Sequence, residues 1–111
     1  MELGLQGKAV LVTGGSRSIG RQIALAFAEE GANVAICARD RIQLAKTEAE
    51  IGALGVKTLA LSVDLFQADD CRRAVDATAA AFGRFDVLIN NASTNLSGTL
   101  EGVSDEILWS A

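Results

Sequence analysis

The chain is 111 residues long, half of them hydrophobic, with a formal net charge of −4; that is the length of one domain with apolar material for a core, which argues against disorder. An acidic balance with no Lys/Arg-rich run argues against nucleic acid or an anionic membrane as the main partner, and no stretch approaches the roughly 18 apolar residues of a membrane span. Residues 1–8 show no basic segment leading into an apolar one, so the expected location is the cytoplasm. The sequence has no histidine, tyrosine or proline and two cysteines. Cys37 and Cys71 lack C-x-x-C spacing, so free, buried or half-buried thiols are expected and no metal site is.

Residues 8–13 read as a first strand: Ala9, Val10, Leu11 and Val12 are continuously apolar, as in a strand covered on both faces. A glycine turn, Thr13-Gly14-Gly15-Ser16-Arg17-Ser18-Ile19-Gly20, leads into a helix with Ile19, Ile23, Ala26 and Phe27 on its apolar side, stopped by Gly31. Such a turn suits an anion, because glycines let the backbone bend and approach while the helix start presents free N–H groups and a positive dipole end. Residues 33–37 repeat the strand pattern. Asp40 with Gln43 has capping-box spacing, so a second helix is expected from there to about residue 53, its apolar side carried by Leu44, Ile51 and Leu54.

A third strand is expected over residues 58–63, closed by Asp64-Leu65. A third helix follows from about residue 68, with Asp69 and Asp70 at its positive end, Cys71, Val75, Ala79 and Phe82 on one face and Gly83 as its stop. Residues 85–90 form a fourth strand around Val87, Leu88 and Ile89, and Ser104 has the look of an N-cap for a fourth helix. Alternating strands and helices call for an α/β fold, a Rossmann-type doubly wound parallel sheet in the order 3-2-1-4, within a single domain. In that order the glycine turn and the polar stretch Asn90-Asn91-Ala92-Ser93 meet at the carboxyl ends of strands 1 and 4, where such folds bind their ligands. A P-loop is excluded, because no Gly-Lys-Ser/Thr follows the turn.

These motifs resemble those of the short-chain dehydrogenase/reductase family, most closely its 3-oxoacyl-carrier-protein reductases. Thr13-Gly14-x-x-x-Ser18-x-Gly20 is similar to the family's coenzyme loop, Asp64-Leu65 to its adenine contact, and Asn90-Asn91-Ala92-Ser93 to its Asn-Asn-Ala-Gly motif. Ser18 and Ser93 depart from the pattern, each standing where a glycine is usual. The resemblance implies that Gly14, Ser16, Arg17, Ser18, Ile19, Gly20, Arg39, Asp64, Leu65, Asn91 and Ala92 touch a nicotinamide dinucleotide. It also implies a small carbonyl or alcohol substrate and a homo-oligomer. Asn91 is expected to tie neighbouring strands through its side-chain amide as well, and for Asn90 that tie is the preferred role.

A carboxylate at the end of the second strand selects NAD by bonding the ribose hydroxyls and would repel the 2′-phosphate of NADP. That position is Ala38, followed by Arg39, and Arg17 lies in the glycine turn, so two guanidinium groups are placed to favour NADP over NAD. The competing view of Arg39 is a solvated residue before a helix cap. A methyltransferase-like site is disfavoured by the same missing acid. The family's acid/base tyrosine, its lysine, its serine and its asparagine match no position in this chain, so none of these residues is assigned a catalytic role. The expectation is therefore the coenzyme-binding half of an NADP(H)-dependent oxidoreductase, residues 1–111, incomplete at its C-terminal end. The alternative is a truncated product that binds a nucleotide or a partner without chemistry.

Overall fold

The computed structural model describes residues 4–14, 18–64 and 67–91. Four strands and three helices alternate: β1 (Ala9–Thr13), α1 (Ser18–Glu29), β2 (Asn33–Ala38), α2 (Arg41–Gly52), β3 (Thr58–Ser62), α3 (Ala68–Phe82) and β4 (Val87–Asn90). All strand pairs are parallel and the order is β3-β2-β1-β4, the usual doubly wound order expected above. The fourth helix expected near Ser104 lies outside the described residues. Among the described residues no helix is long and apolar enough to cross a membrane.

The two central strands explain their own composition. β1 and β2 pair with neighbours on both edges and carry helices on both faces, so Val10, Val12, Val34 and Ile36 bury into one core and Leu11, Ala35 and Cys37 into the other. The first core is closed by Ala24 and Ala28 of α1 and by Leu44 and Ile51 of α2; the second by Ala74 of α3 and Leu88 of β4. Alanines at the closest points let the helices approach the sheet where larger side chains would hold them off.

This close packing corrects three helix faces. On α1 the buried line is Ala24 and Ala28, with Ile23 and Phe27 only flanking it; Ala26 is exposed and Ile19 is 65% exposed. In α2, Leu54 falls beyond the helix and is 44% exposed, while Thr47 takes the expected apolar place and is buried. On α3 the centre of the buried face is Ala74 and Thr78, and Cys71 is half-buried. Thr78 escapes the usual penalty of a buried hydroxyl by donating to the Ala74 carbonyl oxygen at 2.7 Å. Neither cysteine is in a disulfide, and Cys37 is fully buried.

The outer strands are shorter than the pattern predicts: β3 ends at Ser62 and β4 begins at Val87. β4 is anchored at its start by Asp86, whose carboxylate accepts from the Ala9 N–H at 2.8 Å while its own N–H donates to the Ala9 carbonyl at 3.0 Å. Arg84 grips the same carboxylate with two hydrogen bonds, and this guanidinium, helped by the Ala9 amide, holds the Asp86 carboxyl below the usual range.

Candidate coenzyme site

β1 and β4 run side by side with Thr13 opposite Asn90, so the glycine turn and the polar stretch after β4 leave the sheet together. The Thr13 hydroxyl fastens them. It accepts the Asn91 N–H at 2.9 Å and has two acceptors for its single proton, Asn90 Oδ1 at 3.0 Å and the Ile89 carbonyl at 3.3 Å. Asn90 is thus the structural tie it was expected to be. For Asn91 the tie runs through its backbone N–H, and among the described residues its side-chain amide has no hydrogen-bond partner.

Gly14 follows with φ of +69°, a left-handed conformation that a side chain disfavours, and its N–H donates to the Cys37 carbonyl at 2.7 Å. Gly20, one turn into α1, lies against this bend: a β-carbon there would be 2.2 Å from the Gly14 carbonyl oxygen and 2.7 Å from Asn91 Nδ2. Three elements therefore converge at a point that tolerates no side chain. Ile19 beside it is exposed. The structure brings Gly14, Ile19, Gly20 and Asn91 together. Ser16, Arg17, Leu65 and Ala92 lie outside the described residues, as does the side chain of Ser18.

At the end of β2, Ala38 is followed by Arg39, which is exposed. Its carbonyl accepts the Ser62 hydroxyl at 3.2 Å, and among the described residues its guanidinium has no ion pair or hydrogen bond. Asp40 caps α2, accepting from Ile42 N–H at 3.0 Å and Gln43 N–H at 3.2 Å. Asp64 follows the end of β3, with its N–H donated to the Asp70 carboxylate at 2.9 Å and its carbonyl accepting from Gln67 N–H at 3.0 Å. Thr13, Ser62 and Asp70 were not singled out as site residues from sequence. Thr13 at the end of an apolar strand next to the glycine turn was the signal within reach; Ser62 and Asp70 gave none for the contacts they make here, because these go to the backbone of Arg39 and Asp64.

The neighbouring thiols are poor nucleophiles. Burial foremost, with Cys71 nearby, pushes the Cys37 thiol up to about 12, and burial also raises Cys71, which feels the Asp64 charge as well.

A protein-family comparison matches residues 8–111 to the short chain dehydrogenases. The chain belongs to that family. It is 42% identical over 97 residues to a rhamnolipids biosynthesis 3-oxoacyl-[acyl-carrier-protein] reductase of Pseudomonas aeruginosa, covering 87% of this chain and 38% of the reductase. Among solved structures, a short chain dehydrogenase from Burkholderia cenocepacia in complex with NADP superposes with a TM-score of 0.78 at 45% identity, covering 81% of this chain and 37% of that one. An NAD+-bound xylitol dehydrogenase superposes equally well, with a TM-score of 0.79 at 35% identity over 83% of this chain and 35% of that one. The chain spans between 29% and 38% of the length of the curated relatives it matches. Likeness of fold therefore extends to dehydrogenases holding either coenzyme, and the choice between them rests on side chains.

Proposed function

We propose that residues 1–111 are the NADP(H)-binding part of an oxidoreductase that moves a hydride between nicotinamide and a carbonyl or alcohol substrate, with NAD the less favoured coenzyme. The observation that carries the coenzyme choice is the end of β2: Ala38 offers no carboxylate to the ribose, the Asp40 carboxylate is engaged in capping α2, and the Arg39 guanidinium is exposed and unpaired among the described residues. A 2′-phosphate at that position meets a cation with two or more N–H donors, while the adjacent acid, Asp40, is turned to the start of α2. The residues present fit the rest of such a ligand. Gly20 lets the start of α1 pack directly against the bend at Gly14, where a β-carbon would collide with backbone, and a helix start held there is suited to a pyrophosphate with Ser16, Arg17, Ser18 and Ile19. Asp64 and Leu65 take the adenine, and Asn91 and Ala92 the ribose near the nicotinamide.

When bound, the coenzyme supplies or accepts the hydride; the residues of this chain bind and orient it. No tyrosine is available to hold a proton at the substrate oxygen, so the 111-residue polypeptide alone does not turn over a carbonyl. Homo-oligomerisation accompanies this reading by family likeness, and a cytoplasmic location by the sequence pattern of residues 1–8.

The test is the double substitution Ala38→Asp with Arg39→Ala, titrated with NADPH and NADH. Losing a charge-assisted contact to phosphate removes about 1.5–3 kcal/mol, roughly a tenfold to hundredfold swing, so the preference should turn towards NADH. An affinity ratio that does not move refutes the assignment.

A further inference from the structure

We propose that Asp70 is a positioning residue for the adenosine end of the coenzyme site, holding the backbone of Asp64 from the first turn of α3. The inference rests on the reading above that Asp64 meets the adenine. α3 begins in an unusual way: its N-cap residue, Gln67, makes no side-chain bond to the helix start. Two residues inside the helix, at the place where a capping box carries a Glu or Gln that reaches back to the N-cap N–H, stands Asp70. Its carboxylate reaches three residues further, accepting the Asp64 N–H at 2.9 Å through Oδ2.

The other oxygen is committed too. Arg73, one turn on, pairs with Oδ1 of the same carboxylate. Asp70 is 18% exposed while Arg73 is 72% exposed, so the arginine closes over the carboxylate from the solvent side. On the opposite side of the residue, the Asp64 carbonyl accepts from Gln67 N–H at 3.0 Å, and Gln67 in turn receives the N–H groups of Asp70 and Cys71 at 3.1 and 3.2 Å. Asp64 is thereby gripped at both its peptide N–H and its C=O by the start of one helix. Just upstream, Val63 N–H donates to the Ala38 carbonyl at 2.9 Å, which fixes the same segment to the end of β2. These bonds hold the peptide groups from which the Asp64 side chain departs, and the carboxylate of Asp70 is the side chain that the described bonds bring to that grip. A charged acceptor makes the contact about twice as strong as a neutral one, and partners that orient a ligand-contacting group are commonly worth tenfold or more in affinity.

The experiment is coenzyme titration of the full chain and of Asp70→Ala and Asp70→Asn, using NADPH, NADH, adenosine 2′,5′-bisphosphate and reduced nicotinamide mononucleotide, together with amide hydrogen exchange of the wild type. Asp70→Ala is expected to weaken NADPH and adenosine 2′,5′-bisphosphate alike by about tenfold, leaving the NADPH-to-NADH ratio and the mononucleotide unchanged. Asp70→Asn keeps an acceptor oxygen at the same reach and should stay within about threefold of wild type, since only the charge assistance is lost. An Ala variant that binds like wild type, or an Asn variant that falls as far as the Ala one, overturns the proposal. Should the Ala variant not fold, the wild-type Asp64 amide still decides: it should exchange slowly without coenzyme, and fast exchange overturns the grip. Wild type that binds neither NADPH nor adenosine 2′,5′-bisphosphate removes the coenzyme reading instead, and the Asp64 amide then reports on the grip alone.

Discussion

Gly20→Ala is the smallest substitution that should injure both the fold and the site. The added β-carbon would stand 2.2 Å from the Gly14 carbonyl oxygen, 2.9 Å from its carbon and 2.7 Å from Asn91 Nδ2. Comfortable contact needs about 3.5 Å, so either the bend at Gly14 or the start of α1 must move by about 1 Å. Overpacking of this kind costs about 1–3 kcal/mol, towards the upper end here because the obstacle is backbone with no rotamer to change. Alanine returns at most about 1 kcal/mol of helix propensity. The balance is a net loss of roughly 2 kcal/mol. The N–H groups meant for the pyrophosphate shift beyond the roughly 0.5 Å that a binding constellation tolerates, so NADPH affinity should drop by about tenfold or more, as when one charge-assisted contact is lost. Two other glycines supply the contrast. At Gly52 a β-carbon would meet only Thr58 Cγ2 at 3.7 Å, and alanine there should be neutral or stabilise by up to about 1 kcal/mol. At Gly83 the space is open but φ is +77°, so alanine should cost about 1 kcal/mol with no effect on coenzyme. Urea unfolding of the three variants at one protein concentration, with NADPH titration alongside, separates the cases. If Gly20→Ala unfolds with Gly52→Ala and binds NADPH like wild type, the close packing of Gly20 on Gly14 and Asn91 does not position the coenzyme site.

Asp86 should make stability pH-dependent. Its carboxyl is held below the usual range by Arg84 and the Ala9 amide, so its contribution is present above the ordinary carboxylate pKa of about 3.9 and fades as pH falls through the lowered native value. Asp86→Asn should therefore destabilise by about 1.5–3 kcal/mol at pH 7 and progressively less below about pH 4; a penalty equal at pH 7 and pH 3 in urea melts would refute this. Cys37, with its thiol pushed up to about 12, should stay unmodified by a thiol reagent at pH 8 until the chain is unfolded, while half-buried Cys71 reacts first. Labelling of Cys37 as fast as Cys71 in the native chain would show that the second core is not closed.

The parallel sheet was legible because runs such as Val10-Leu11-Val12 and Val34-Ala35-Ile36, separated by helical segments, call for strands covered on both faces by crossover helices, and the order 3-2-1-4 is the usual one for such a sheet. The meeting of the glycine turn with Asn90 and Asn91 was legible for the same reason. Helix faces were less so. A pattern reading ranks large apolar residues first and puts Ile19, Ile23, Phe27 and Leu54 inside, whereas α1 approaches the sheet closely enough that only Gly20, Ala24 and Ala28 fit beneath it. The large side chains were displaced to the flanks, and Ile19 to the mouth of the site. Contacts from side chain to distant backbone, such as Asp70 to Asp64, Ser62 to Arg39 and Asp86 to Ala9, leave no periodic trace, since an amide has no side-chain signature in the sequence.

β4 carries the last prediction. In the doubly wound order its second edge faces a fifth strand, and among the described residues it pairs with β1 alone. Its side chains reflect the unequal cover: Leu88, beneath α3, is 9% exposed, whereas Val87 and Ile89 on the other face are only half-buried, in contrast to Val10 and Val12 of β1, which are fully buried. A polypeptide of residues 1–111 therefore offers an apolar strand whose outward N–H and C=O groups find no partner in the described fold, an edge of the kind that natural sheets protect with charge, proline or a covering segment. The sequence Val87-Leu88-Ile89-Asn90 supplies neither charge nor proline. Edge-to-edge pairing of two copies, or coarser aggregation, is the expected result when this polypeptide is expressed alone. Sedimentation velocity at micromolar concentration tests it, with Ile89→Lys as the contrast: a lysine on that edge should shift the population towards smaller species even though it costs some core packing, because it penalises association more than folding. A wild-type polypeptide that sediments as a monomer and unfolds in one cooperative step would mean that the outer edge of β4 is already covered within these 111 residues, and that the strand is not an interior one.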